Sequence, residues 1–166
     1  MKKIFLCALI LSCSFVALQA QRLPNVPQQT EILEYYGAKR KWLGDNIYEI
    51  EIKLKIKGNW SIYSNQIENS GPVPISFSVK DPLLEPIGDL VEEGNTVIDE
   101  MDPIFKQKLK KYKNLITLRQ KIRIKRKENN SLSIPVIRIS KYTGYLKYQA
   151  CNHNKCTPPL GIDLKF

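Results

Sequence analysis

From residue 48 to residue 57 apolar and charged side chains take turns. Tyr48, Ile50, Ile52, Leu54 and Ile56 alternate with Glu49, Glu51, Lys53, Lys55 and Lys57. A period of two is that of a half-buried strand, whose successive side chains point to opposite faces. Gly58-Asn59 ends the run. Ile75, Phe77 and Val79 alternate with serines after the turn-like Gly71-Pro72-Val73-Pro74. Ile116, Leu118, Ile122 and Ile124 share one face of 115–125, with Gln120 as the exception. Residues 133–140 are rich in β-branched side chains, and Pro135 pushes that segment toward an edge or a strand start. Leu146, Tyr148 and Ala150 alternate with Tyr145, Lys147 and Gln149, and Ile162, Leu164 and Phe166 repeat the pattern.

The pattern predicts seven or eight strands with turn signals between them. No sustained helical stripe is present, although 103–112 has room for a short helical turn. An all-β fold follows, an antiparallel β-sandwich of one domain over 31–166. Residues 21–30, QRLPNVPQQT, hold two prolines and no period, and read as a flexible lead-in.

Residues 1–20 pair a basic start, Lys2-Lys3, with an apolar stretch and a small residue, Ala20. That is the layout of a secretory signal peptide, and its apolar run is short for a membrane span. Export is the expectation, with no integral membrane span once the signal is removed. Lipid attachment at Cys13 is the lesser alternative. Lys and Arg number 26 and Asp and Glu 16, so without Lys2 and Lys3 the balance is +8. The basic residues cluster in 106–113 and 121–127. In the second run Lys121, Arg123 and Lys125 alternate with Ile122 and Ile124, as on the solvent face of a strand. That patterning and export together argue against nucleic acid as a partner.

Cys7 and Cys13 fall within the signal, which leaves Cys151 and Cys156. An even count in an exported chain implies a disulfide. Asn152-His153-Asn154-Lys155 is an Asn-rich loop able to reverse a hairpin. It would bring the two Cα atoms to about 4.5–5.5 Å, within disulfide range. Closing so short a loop contributes only about 2 kcal/mol through chain entropy. If Leu146, Tyr148 and Ala150 face the core, Cys151 falls on the outer face, where an exposed sulfur is open to exchange. His153, the sole histidine, and Lys155 would favour a thiolate. Three readings stay open on these residues. One is redox exchange. Another is a structural disulfide in a non-catalytic binding module. The third is copper or zinc binding by Cys151, His153 and Cys156, which lacks an evident fourth ligand.

Several segments resemble one family. Trp60-Ser61-Ile62-Tyr63-Ser64 is similar to its Trp-x-x-Tyr-Ser segment, followed by Gly71-Pro72-Val73-Pro74. Gln120, Gly144, Tyr148-Gln149-Ala150-Cys151 and Cys156-Thr157-Pro158-Pro159 extend the match over nearly all of the chain after the signal. The family is the N-terminal, immunoglobulin-like domain of the thiol:disulfide interchange protein DsbD. The resemblance implies an immunoglobulin-like antiparallel β-sandwich with the cysteine pair on a hairpin near the C-terminus. It implies a periplasmic domain without cofactor, a protein-disulfide reductase type of electron carrier. Such a domain takes electrons from a membrane-linked thiol donor and passes them to periplasmic thioredoxin-like proteins, including those of cytochrome c biogenesis. It also implies a cap over Cys151 and Cys156, matched here to 99–105, with Phe105 or Met101 as the shield. The 166 residues include neither a thioredoxin domain nor a membrane segment after the signal, so the donor is expected to act in trans.

Overall fold

A computed structural model describes residues 29–67, 71–125 and 143–166. The expected signal peptide, Cys13, most of the expected lead-in and the segment 133–140 lie outside these residues. The lead-in's last two residues begin a single helical turn, α1 (Gln29–Ile32).

Nine strands follow among the described residues: β1 (Leu33–Gly44), β2 (Ile47–Ile56), β3 (Ser61–Tyr63), β4 (Ser76–Val79), β5 (Leu84–Met101), β6 (Lys108–Ile124), β7 (Thr143–Tyr148), β8 (Ala150–Cys151) and β9 (Leu160–Lys165). All pairings are antiparallel. β6 is the spine of the larger sheet. It pairs with β2 over Leu115–Arg123 and with β3 at Lys111 and Tyr112. β5 runs along it from Leu84↔Ile124 to Met101↔Lys108. β1 extends the sheet beyond β2, and β8 extends it beyond β3. The smaller sheet has the order β4-β7-β9. The fold is the expected all-β antiparallel sandwich.

The alternation read from the sequence is the reason the sheets stack. Ile50, Ile52, Leu54 and Ile56 of β2 and Ile116, Leu118 and Ile122 of β6 are buried against Leu146, Tyr148, Ile162 and Leu164 of the smaller sheet. Each fully buried Leu or Ile stabilises the fold by about 1.5–3 kcal/mol relative to exposure. The intervening Lys121, Arg123 and Lys125 are exposed.

Gln120 sits on that same inward face, only 4% exposed. Opposite it β5 bulges between Ile87 and Val91, with Gly88 at φ +67°. The Gln120 amide donates to the carbonyls of Ile87 and Gly88, and to that of Lys121. A buried carbonyl without a partner is costly, so the bulge explains the polar exception.

The short helical turn expected within 103–112 is a single turn over 103–105, closed by the Lys106 amide on the Asp102 carbonyl, and from Lys108 the chain is strand. The single strand expected over 145–151 is corrected: it is two. β7 pairs in the smaller sheet and β8 in the larger, so the chain changes sheets at Gln149. A period of two does not reveal a crossing, because inward residues stay inward on both sides of it. Strands β1, β3 and β5 have no clean alternation in sequence. β5 carries glycines and acidic residues along an outer edge, and half of β1 is exposed.

Candidate functional site

Gln149 makes the crossing possible. Its side-chain oxygen accepts from the Val73 amide at 2.8 Å, and its amide nitrogen donates to the Thr157 carbonyl at 2.8 Å. Thr157, 3% exposed, closes the pairing. Its amide donates to the Ala150 carbonyl at 2.8 Å, and its Oγ1 accepts from the Ala150 amide at 3.2 Å. The Gly71-to-Pro74 segment, the Tyr-Gln-x-Cys run and the Cys-Thr-Pro-Pro run therefore meet at one place.

Beyond this clamp the chain reverses. The Asn152 amide donates to the Lys155 carbonyl at 2.9 Å. Asn152 Oδ1 accepts from the amides of Asn154 and Lys155 at 2.9 and 3.0 Å. An Asx turn thus substitutes a side chain for a backbone carbonyl. Cys151 and Cys156 face each other as an isolated antiparallel bridge and are joined by a disulfide, with Cα atoms 4.0 Å apart.

Parity placed Cys151 on the face of the sheet away from the core, and that face is where it lies. Exposure did not follow: Cys151 is only 4% exposed. Ala150 belongs to the inter-sheet core, while Cys151 joins a second cluster with Tyr63 and Leu109, against which Ile67, Phe105 and Cys156 pack. The outer face is locally roofed. The loop between β5 and β6 folds over it, which alternation along β7 and β8 gives no means of seeing.

The roof is a tight turn. The Lys106 amide donates to the Asp102 carbonyl at 2.9 Å, and the Asp102 amide to the Gln107 carbonyl at 2.8 Å. Lys106 takes a left-handed φ of +56° to close it. Phe105 sits with its ring edge-on to Tyr63, centroids 5.8 Å apart. Met101, 64% exposed, stands at the rim of a groove of about 260 Å³. Cys151, Ser61, Lys111, Lys113 and His153 also border that groove.

Asp102 is 2% exposed and Lys111 8%. Asp102 Oδ1 accepts from the amides of Ile104 (2.9 Å) and Phe105 (3.1 Å). Its Oδ2 accepts from the Tyr63 hydroxyl (2.8 Å) and the Lys111 ammonium (3.2 Å). Burial alone would raise its pKa, but the two amides, the hydroxyl and the ammonium outweigh it and hold the carboxyl below its ordinary value. The same contact acts on Tyr63, whose hydroxyl is pushed far upward by burial first and by Asp102 second. A second carboxylate fastens the floor. Glu92 accepts from Ser64 Oγ (2.5 Å), the Asn65 amide (2.7 Å) and the Tyr112 hydroxyl (3.2 Å). Burial and Glu92 push Tyr112 up to about 12. Gly94 lies flat against the Tyr112 ring, where a Cβ would collide.

His153 and Lys155 are both exposed on the hairpin tip. His153 borders the groove beside Cys151 and Lys155 does not. Among the described residues no group of three or more His, Cys, Asp or Glu is arranged to hold a metal ion. The network of Asp102, Tyr63 and Lys111 was missed in the sequence. Asp102 is two residues from charged neighbours and reads as one more loop acid. A lysine on the outward face of a basic run reads as solvated.

No protein-family model matches this chain, and no curated protein matches it. Among solved structures, the chain is similar to the N-terminal periplasmic domain of ScsB from Proteus mirabilis, with a TM-score of 0.46 and 11% sequence identity. The likeness covers 77% of this chain and 44% of that one. Among the described residues no helix is long and apolar enough to cross a membrane.

Proposed function

We propose that this chain is an exported, periplasmic thiol–disulfide exchange domain working through Cys151 and Cys156. The observation that carries the reading is where the bond lies. It closes a hairpin outside the inter-sheet core, in a small cluster of its own, next to a groove and under a separate turn. A bond kept only for stability would join distant parts of the sandwich, where chain entropy makes it worth more.

The chemistry is a two-electron transfer. A partner thiolate attacks one sulfur of the Cys151–Cys156 bond, that bond breaks, and a mixed disulfide forms. The displaced sulfur leaves as a thiolate and takes up a proton. The partner's second thiolate then attacks its own sulfur in the mixed disulfide. The partner is left oxidised, and Cys151 and Cys156 hold two electrons and two protons for the next acceptor. Cys156 is the partner-linked sulfur in this reading, because Cys151 is the more buried of the two. The donor is a membrane-linked thiol protein acting in trans. The acceptors are thioredoxin-like proteins, those of cytochrome c biogenesis among them. Phe105 shields the bond between encounters.

The burial of Cys151 favours a second reading, an inert disulfide in a binding module. Two measurements separate them. A reduction potential below about −300 mV marks an inert bond, and a higher one an exchanging bond. A Cys151→Ala variant, in which Cys156 can attack but nothing resolves the product, should retain periplasmic partners as mixed disulfides. Recovery of none with this variant or with Cys156→Ala would sink the carrier reading.

A further inference from the structure

The two oxygens of Asp102 have separate duties. Oδ1 takes the amides of Ile104 and Phe105, both in the cap. Oδ2 takes the Tyr63 hydroxyl from β3 and the Lys111 ammonium from β6, both in the floor on which Cys151 lies. One buried carboxylate thus bridges the cap to the floor. Little else in the cap is apolar and inward: Ile104 and Met101 are 40% and 64% exposed, and Phe105 is the side chain that reaches the cysteine cluster.

We propose that Asp102 is a positioning residue, a clasp that holds Phe105 closed over the Cys151–Cys156 bond and so sets how often that bond can be attacked. The proposal rests on the exchange reading above and adds its regulation. A partner gains access by breaking the clasp at Oδ2, which leaves the turn intact because Oδ1 still holds its two amides. Lys111 stays compensated on opening, since Glu100 lies 3.6 Å from its ammonium. The floor donors stay in place, because both are strand residues in register with one another (Tyr63↔Lys111).

Asp102→Asn is the selective cut. Its remaining oxygen still accepts from the cap amides, while its –NH₂ group cannot accept from Tyr63 or Lys111. The full chain is challenged with dithiothreitol at neutral pH, and loss of the disulfide is followed by thiol labelling. Losing a hydrogen bond to a charged group, read as a shift in a local opening equilibrium, should speed reduction about tenfold. Tyr63→Phe, which removes one donor and keeps the ring, should speed it about threefold on the same basis. Phe105→Ala should speed it at least as much as Asp102→Asn. The double variant Asp102→Asn/Phe105→Ala should be no faster than Phe105→Ala alone, because a clasp has nothing to hold once its shield is gone.

Wild-type rates for both Asp102→Asn and Tyr63→Phe, with Phe105→Ala accelerated, would overturn the clasp and leave the shielded exchange site standing. An equal, multiplicative gain in the double variant would also overturn it, since Asp102 would then act independently of Phe105. Should Asp102→Asn fail to fold, Tyr63→Phe alone decides. The potential and trapping measurements above judge the exchange reading separately.

Discussion

The larger sheet buries its two faces by different means. On the inward face, among the described residues, eighteen buried residues, nearly all from the two sheets, form one aliphatic and aromatic core. On the outward face, three do so, Tyr63, Leu109 and Cys151. The inward face is closed by area alone, for a second sheet lies against it. Among the described residues no second sheet covers the outward face. Its closure depends on one turn fastened by a buried carboxylate. Apolar area is non-directional and falls off only when a whole layer separates. A clasp of four hydrogen bonds on two oxygens is directional and can open locally. The exchange proposed for the Cys151–Cys156 bond needs a surface of the second kind, which can both protect it and let it be reached.

The sharpest break of this contrast is a cavity in the core. Leu118→Ala removes a side chain with no exposure, and is expected to cost about 3 kcal/mol in denaturant unfolding. It should leave the rate of disulfide reduction near that of wild type in the folded range. Removing the disulfide itself, by Cys151→Ser with Cys156→Ser, should cost about 2 kcal/mol, the chain-entropy value for so short a loop. A much larger loss would move the bond from the clasped surface to the structural core.

Tyr63→Phe is expected to cost about 1 kcal/mol of stability, one hydrogen bond's net worth or slightly more, while its ring stays against Phe105. Stability should fall less than for Leu118→Ala while reduction speeds up, which is the opposite ranking to the core variant.

Acid tests the same contrast without mutation. The groups facing Asp102 are Tyr63 and Lys111, with Glu100 beside the latter. Asp102 has a carboxyl pKa held below its ordinary value in the folded chain. Its contribution is therefore complete above the unfolded value, about 3.9, and fades as pH falls beneath that. With a phosphine reductant, and the denatured chain as reference, protection of the disulfide should be flat from pH 7 to about 5. It should weaken only below about pH 4. A midpoint near neutrality would assign the gate to another group. The smallest effect is reserved for His153→Ala. Exposed on the hairpin tip, it should change stability by less than about 0.5 kcal/mol.

Particular residues show how far the sequence could be read. The alternation in 48–57 and 115–125 predicted strands β2 and β6 and their buried faces, because a strand's period is a local property. The Asn-rich loop predicted the hairpin between the cysteines for the same reason. The strands β1 and β5 were not legible, since an edge strand with one covered neighbour needs no alternation. Tyr63 entered the sequence reading only within the Trp-x-x-Tyr-Ser segment; it is buried, and its hydroxyl has a partner 39 positions away. Nothing local in either segment announces that pairing.

By itself, then, the order of side chains determined an all-β chain, its inward residues and a cysteine pair brought face to face. Those are consequences of side-chain parity and turn chemistry, which act over a few residues. Parity left the pair bare and the resemblance implied a cap; the tertiary structure decided that Phe105, and not Met101, packs against it. It also decided that the chain changes sheets at Gln149 and that Asp102, Tyr63 and Lys111 converge beside the sulfurs. Burial is set by what arrives from elsewhere in the chain. Here a turn between two strands of an outer ribbon arrives over a face that parity alone would leave to water.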